Sequence, residues 1–177
     1  MYAPAEDSYL LVDCVGRYTG KQALEIGVGS GLIADELCKN FQMVAGSDID
    51  FQSIRYCRAK NKKIMLVCSD AASAFGGKAR FDLIVSNPPY LPDDKQKDRA
   101  VHGGPTGIET TMQFVQSAMP LLSQEGRMLF VVSSHADTSA LYELAGKLGL
   151  KKKIITEKNV FFERLSVVEF TCESVLL

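Results

Sequence analysis

Leu24-Glu25-Ile26-Gly27-Val28-Gly29-Ser30-Gly31 is the stretch that decides the fold of this chain. An apolar run of strand character passes into three glycines at alternate positions, and a helical pattern follows directly. Glycine lets the backbone turn tightly and approach a ligand, because it has no Cβ. A dinucleotide-binding fingerprint, G-x-G-x-x-G, would need its last glycine at the position of Leu32. The stretch therefore predicts a ligand-binding turn of another kind, although purely structural glycine turns also follow strands.

The rest of the chain alternates apolar runs of strand length with segments of helical period, which is typical of βα units and a largely parallel sheet. With 177 residues, 46% of them hydrophobic, it is long enough to bury one core, so a single domain is predicted over residues 1–177. The predicted strands are Ala23–Gly27, Met43–Ser47, Ile64–Cys68, Phe81–Ser86, Met128–Ser133, Lys153–Glu157 and Ser166–Thr171. The predicted helices are Ser8–Val15, Gly31–Lys39, Phe51–Asn61, Ile108–Leu122 and Thr138–Leu148.

Acidic residues accompany the strands next to the glycine turn. Asp48 follows the second strand, 19 positions after Gly29, near the distance at which an acidic side chain binds ribose hydroxyls in this architecture. Asp70 closes the third strand, and Ala71 follows it. Glu25 lies inside an apolar strand, where a carboxylate is costly to bury without a partner such as a cationic ligand group. An ordinary turn role remains open for Asp48 and Asp70.

A second motif, Asn87-Pro88-Pro89-Tyr90, closes the strand predicted at Phe81–Ser86. Two consecutive prolines cannot continue a ladder or a helix, because proline fixes φ and lacks an N–H. The Asn87 side chain and the neighbouring carbonyls are therefore held in a rigid group made mostly of hydrogen-bond acceptors, which suits a planar NH2 group. A proline turn without a ligand is the alternative.

The polar connection from Leu91 to Gly107 is longer than ordinary loops. Loops of this length are usually lids, binding segments or disordered. Because this one directly follows the double proline, we expect it to contact the substrate. A solvated excursion fits its mixed charges equally well.

The overall composition limits the partners and the compartment. A net charge of −1 and a pI near 6.1 give no overall field that would attract nucleic-acid phosphates. The five cysteines form no Cys-x-x-Cys pair, so they are predicted to be reduced core residues, and no metal is expected. Neither a basic leader nor an apolar stretch of bilayer length occurs, which predicts a soluble cytoplasmic protein with no membrane partner.

The tetrapeptide at Asn87 is similar to the Asn-Pro-Pro-Tyr motif of class I methyltransferases that alkylate amide or amino nitrogens. The segment Tyr2–Leu11 resembles the opening of the short HemK-type methyltransferases, and the glycine turn, Ser47–Asp50, the tetrapeptide and Gly103–Glu109 follow in the order of that family. The resemblance to the short archaeal and eukaryotic branch runs from residue 2 to about residue 171. It implies a Rossmann-like three-layer α/β sandwich, with a seven-stranded, mostly parallel sheet and an antiparallel last strand.

The resemblance also implies the cofactor S-adenosylmethionine and a role for each motif. The implied catalytic residues are Asn87 and Pro88, which would accept the two N–H bonds of a carboxamide, with Pro89 setting the geometry and Tyr90 forming a wall. The implied cofactor-binding residues are Ser8, Glu25, Gly27, Gly29, Gly31, Asp48, Asp70, Ala71 and Asn87. No histidine base is required, so His102 and His135 are expected to be incidental.

The family methylates the glutamine of the Gly-Gly-Gln loop in class 1 translation release factors, and we expect that substrate here. In archaeal and eukaryotic relatives a small zinc-binding activator of the Trm112 type adds a strand at the sheet edge formed by the third strand. Ile64–Cys68 is apolar, with no charge or proline to discourage pairing, so a heterodimer is expected. The alternative is that another segment of the same chain covers this edge.

Other functions fit the same motifs. The exocyclic amino group of adenine or guanine would satisfy the same acceptors, but nucleic-acid enzymes need a flipped base and usually added recognition surface. We expect no added recognition domain in a chain of this length, and its net charge of −1 is not basic. A protein-lysine methyltransferase and a binding module that only retains the cofactor are the remaining alternatives.

Overall fold

The structure of the protein, a computed structural model, describes residues 3–94, 98 and 100–173. The two ends of the predicted domain, residues 1–2 and 174–177, lie outside the described residues. Tyr2 of the opening segment is among them. Residues 95–97 and 99 of the predicted substrate loop also lie outside.

Nine strands and five α-helices occur in the described part, and they include every strand and helix predicted from the sequence. The boundaries agree within four residues, except that the strand predicted to begin at Met128 begins six residues earlier, at Leu122. None of the described helices combines the length and apolarity that crossing a bilayer needs. The strands are β1 (Gly20–Ile26), β2 (Phe41–Asp48), β3 (Met65–Cys68), β4 (Phe81–Ser86), β5 (Leu91–Pro92), β6 (His102–Gly104), β7 (Leu122–Ser133), β8 (Leu150–Val160) and β9 (Glu163–Cys172). The helices are α1 (Glu6–Val15), α2 (Leu32–Asn40), α3 (Phe51–Lys60), α4 (Glu109–Ala118) and α5 (Thr138–Lys147).

Seven of these strands form one sheet in the order β3-β2-β1-β4-β7-β9-β8. The pairs from β3 to β7 are parallel, and β9 runs antiparallel between β7 and β8. This confirms the predicted sheet with an antiparallel last strand. The strands β3 and β8 are its two edges.

Helices cover both faces of the sheet, which confirms the three-layer sandwich. Successive residues of a strand point to opposite faces, so Leu129 and Phe130 belong to different apolar clusters. The cluster around Phe130 includes residues of α4 and α5, such as Val115 and Leu141. The cluster around Leu129 includes residues of α1, α2 and α3.

The main differences from the predicted elements have local causes. A helix was predicted from Ile108 to Leu122, but α4 ends at Ala118 and a 3₁₀-helix follows at Met119–Leu121. Pro120 lacks the N–H that an α-helix needs at this position, so the regular helix stops before it. The short parallel pair β5 and β6 was not predicted, because two and three residues are too few to show a period.

Candidate active site

A cavity of about 1240 Å³ opens at the carboxyl ends of β1 to β4. The strand β1 lies between β2 and β4, and the chain passes from β3, at one edge, to β4 on the other side of β1. Ligands of open α/β sheets bind outside the carboxyl ends of the strands at such a switch point. The segments that follow β1, β2, β3 and β4 all line the cavity, as do residues of α1 and of the loop after β4.

The glycine turn after β1 has the backbone that the sequence predicts. Gly27, Gly29 and Gly31 have φ values of 78°, 46° and 76°, a region that side chains disfavour. A Cβ on Gly31 would lie 2.6 Å from the Cys57 sulfur, so this residue also allows the turn to pack on α3. A Cβ on Gly29 would meet no atom within 4 Å apart from its chain neighbours. The turn therefore presents bare backbone to the cavity.

Glu25 is a carboxyl group buried at the base of this cavity, with 1% of the residue exposed. It accepts a hydrogen bond from the Ala34 backbone N–H. Within the described part of the chain its Oε2 has no hydrogen-bond partner. Burial raises the pKa of Glu25 well above its ordinary value, and the nearby carboxyl groups of Asp48 and Asp35 raise it further. The site is suited to a cationic group that would restore the ionised form.

Asp48, at the end of β2, is held in place by backbone donors. Its Oδ2 accepts the Gly29 N–H at 2.9 Å, and its Oδ1 accepts the Asp50 N–H at 2.8 Å. Burial raises the pKa of Asp48, and these two hydrogen bonds oppose that rise. Each oxygen keeps a further lone pair, so the carboxylate can still accept two hydroxyl groups.

Asp70 and Ala71 follow β3 and line the same cavity. Ala71 has a φ of 47°, and its carbonyl accepts the Ser47 hydroxyl at 2.7 Å. The Asp70 Oδ1 accepts the Gln113 side-chain N–H at 3.0 Å. Sequence reasoning did not identify Gln113, because nothing in its own helix marks it; only the fold brings α4 beside the end of β3.

In the side-chain amide of Asn87, the nitrogen makes a hydrogen bond and the oxygen makes none among the described residues. Its Nδ2 donates to the Ser8 hydroxyl oxygen at 3.3 Å. Its Oδ1 is buried and has no hydrogen-bond partner in the part of the chain that the structure describes. Pro88, Pro89 and Tyr90 line the cavity beside it. The structure places the tetrapeptide at the cavity, and the role of its acceptors toward a substrate NH2 group stays a prediction.

Asp7 is a residue that sequence reasoning missed. It is 3% exposed, and its Oδ2 accepts the Tyr90 hydroxyl at 2.9 Å. Its Oδ1 accepts the Ser8 backbone N–H at 2.6 Å and lies 3.3 Å from the Ser8 hydroxyl, which donates to it. Since a carboxylate only accepts, the Ser8 proton points to Asp7 and a Ser8 lone pair faces Asn87. The signal was present, because Asp7 precedes Ser8 in the opening motif.

The loop after β4 folds back over the tetrapeptide. The Leu91 N–H donates to the Val101 carbonyl and the Asp93 N–H to the Gly104 carbonyl, each at 2.9 Å. A Cβ on Gly103 would lie 2.4 Å from the Pro89 carbonyl oxygen, so only glycine allows this approach. Several loop residues line the cavity, His102 among them. Contact of this loop with a substrate, and the absence of a catalytic role for His102, stay predictions.

The charged side chains that line the cavity are acidic. In the described part of the chain neither lysine nor arginine contributes to the lining. The acidic lining residues are Asp7, Glu25, Asp48, Asp50, Asp70, Asp93, Asp98 and Glu163. Such a surface repels phosphates and attracts cations, so it favours a cationic or neutral ligand.

The family model for the methyltransferase small domain matches residues 5–162. The chain belongs to this family. One relative is a protein of Methanocaldococcus jannaschii with the provisional name protein N5-glutamine methyltransferase, which is 32% identical over 95% of this chain and 90% of its own length. Methyltransferase HEMK2 of Homo sapiens is 26% identical over 97% of this chain and 89% of its own length. These relatives support the HemK-type resemblance in the sequence.

A solved structure has the same fold. The Mtq2–Trm112 complex of E. cuniculi, described as responsible for methylation of the eRF1 translation termination factor, has a TM-score of 0.82. The similarity covers 97% of this chain and 98% of that chain, at 23% sequence identity. Together with the sheet order, it shows the class I methyltransferase fold for this member of the family.

Proposed function

We propose that this protein transfers a methyl group from S-adenosylmethionine to the side-chain amide of the glutamine in the Gly-Gly-Gln loop of a class 1 release factor. The observation that carries the proposal is the buried Oδ1 of Asn87, an acceptor without a partner among the described residues, beside an acidic cleft. The names of the relatives, one a glutamine methyltransferase and one acting on a termination factor, support the same substrate.

The residues that line the cleft fit S-adenosylmethionine. When bound, this cofactor supplies an electrophilic methyl group on a positively charged sulfur. Glu25 would hold its ammonium group, Asp48 would accept the ribose hydroxyls, and Asp70 with the Ala71 N–H would hold the adenine. The glycine turn leaves room for close backbone approach, and Ser8 would bind the carboxylate. The strongest support is Glu25, a buried carboxyl group with an unpaired oxygen in the described structure.

Glu25 gives the proposal a pH dependence. Because burial raises its pKa, the free protein retains this proton to a higher pH than an exposed glutamate. A bound ammonium group favours the ionised form, so binding releases the proton and the affinity for S-adenosylhomocysteine should rise as pH rises through that pKa. Titration calorimetry in buffers of different ionisation enthalpy measures the released proton. Glu25→Gln should bind more weakly and lose this proton release; unchanged release in the variant would contradict the assignment.

The proposed substrate atom, the carboxamide nitrogen of glutamine, is a weak nucleophile. The lone pair of a carboxamide nitrogen is delocalised, so the enzyme must align it with the methyl group and stabilise the positive charge that builds on nitrogen. The Asn87 Oδ1 and the Pro88 carbonyl would accept hydrogen bonds from the two N–H groups of the substrate, and these hydrogen bonds strengthen as the nitrogen becomes more positive. As the N–CH3 bond forms and the S–CH3 bond breaks, the nitrogen would lose one of these two protons to solvent, which gives a neutral N-methyl amide and S-adenosylhomocysteine. Pro89 would fix the spacing, and Tyr90 would close one side of the pocket.

We further propose that a Trm112-type activator adds a strand to β3. This strand is at an edge of the sheet, and in the described part of the chain it pairs only with β2. Met65, within it, is 58% exposed. An unprotected apolar edge favours pairing with another strand. The Trm112 in the E. cuniculi complex supports this partner, and the substrate would place the heterodimer in the cytoplasm.

One experiment tests the substrate and the partner together. The protein is incubated with labelled S-adenosylmethionine and a class 1 release factor, with and without a Trm112-type activator. We expect label in the wild-type factor, at a higher rate with activator, and none when the loop glutamine is replaced by alanine. Equal labelling of the alanine variant would reject the glutamine assignment. Full activity of the isolated chain as a stable monomer in sedimentation would reject the activator.

A further inference from the structure

We propose that Phe161 and Phe162, at the tip of the β8–β9 hairpin, form the surface on which the protein substrate docks beside the active site. The inference rests on the proposed function, and it concerns the body of the substrate rather than the methylated side chain. These two residues are the most exposed large apolar residues in the described part of the chain, with 100% and 92% of their surface accessible to solvent.

The turn itself shows that folding does not explain these residues. Val160 at the end of β8 pairs with Glu163 at the start of β9, so the two phenylalanines are the whole turn. Phe161 has a φ of 39°, and a positive φ at the first position of a two-residue hairpin turn normally requires glycine. A phenylalanine there strains the backbone and leaves its ring in water. A strained and fully exposed residue of this kind points to a role in function rather than in stability.

The tip is fixed at the rim of the cavity. Glu163, the next residue, lines the cavity and accepts the Ser133 hydroxyl at 2.6 Å. The Arg164 N–H donates to the Ser134 hydroxyl at 2.9 Å. An ion pair between Lys158 of β8 and Glu6 ties the hairpin to the start of α1, the helix that carries Ser8. The two rings are therefore presented from a braced position next to the reaction site.

The location of the hairpin tip indicates which protein binds there. The proposed activator binds at β3, which is the opposite edge of the seven-stranded sheet from β8. These two edges are six strand spacings apart, which is about 29 Å. A small protein paired with β3 is therefore poorly placed to cover the tip of the β8–β9 hairpin. The proposed reaction needs one other macromolecule, the release factor. Only its glutamine loop enters the cavity, so the rest of its surface must lie against the rim, where Phe161 and Phe162 project.

The test uses the double variant Phe161→Gly and Phe162→Ser in the activator complex. Glycine suits the positive φ, so the melting temperature should stay equal or rise, and the dissociation constant for S-adenosylhomocysteine should not change. The KM for the intact release factor should rise at least about tenfold with kcat little changed, because buried aromatic anchors dominate interfaces. Ile154→Ser, which removes an exposed apolar side chain from β8, the strand that leads into the turn, is the matched control and should leave KM unchanged.

An unchanged KM in the double variant would overturn the docking assignment while leaving the proposed function intact. If that result came with a loss of self-association or of vesicle binding seen in the wild type, the tip would belong to a second copy or to a lipid surface instead. A wild-type protein that binds the cofactor but does not methylate the release factor would overturn the proposed function and this inference together.

Discussion

Replacing Asn87 with alanine is expected to lower kcat for methyl transfer about 100- to 1000-fold, the usual loss when one preorganised transition-state contact is removed. The Oδ1 of Asn87 is buried and lacks a partner among the described residues, so its removal leaves the substrate nitrogen without the acceptor that aligns it. Stability should change little, because the side chain gives up only the 3.3 Å hydrogen bond to Ser8. The measurement is single-turnover methylation of the release factor at saturating cofactor.

The control separates chemistry from cofactor binding. Calorimetry with S-adenosylhomocysteine should still show binding, weakened by about tenfold at most, since Asn87 is one of several predicted cofactor contacts and Glu25 and Asp48 are untouched. The loss of kcat should therefore be much larger than the loss of cofactor affinity. Asn40→Ala removes a half-buried asparagine, away from the cavity, whose amide donates to the Gly16 carbonyl at 3.3 Å, and it should retain full activity. Undiminished transfer by Asn87→Ala would remove the proposed active site.

The strands, and the site residues at or just after the strand ends, could be predicted from the sequence. Apolar runs show where strands end, and in a parallel sheet the carboxyl ends of neighbouring strands meet at one edge, so Glu25, Asp48, Asp70 and Asn87 were expected together. The structure places all four around one cavity. Their predicted roles toward the cofactor and the substrate remain proposals.

The contacts between distant segments could not be predicted. Asp7 and Tyr90 are 83 positions apart, and Ser8 and Asn87 are 79 apart, so no local pattern joins them. Gln113 meets Asp70 across 43 positions for the same reason. The unusual backbone of the hairpin tip was equally hidden, because a phenylalanine pair between two strands gives no turn signal of the kind that glycine or asparagine gives.

The contact between α1 and the tetrapeptide leads to a second prediction, that Asp7→Asn lowers kcat about 10- to 100-fold through misplacement of the reacting groups. Asp7 accepts at both oxygens, from Tyr90 and from Ser8. An asparagine has one acceptor oxygen, and the Ser8 backbone N–H, which donates at 2.6 Å and cannot rotate, keeps that oxygen on the Ser8 side. The NH2 group then faces the Tyr90 hydroxyl, which must turn and accept instead of donate. The hydrogen bond to a charged acceptor that joins the tetrapeptide to α1 is lost, so Tyr90 and the neighbouring Asn87 are held less firmly.

Asp7 is thus expected to be a positioning residue, and its effect should depend on Asn87. In an Asn87→Ala background, adding Asp7→Asn should reduce kcat much less than it does alone, whereas independent effects would multiply. Tyr90→Phe removes the hydroxyl that donates to Asp7 at 2.9 Å and should lower kcat about as much as Asp7→Asn does. Asp13→Asn, an exposed position on the same helix, is the matched control. If Asp7→Asn instead lowered the melting temperature and weakened cofactor binding in proportion to kcat, Asp7 would only stabilise the fold.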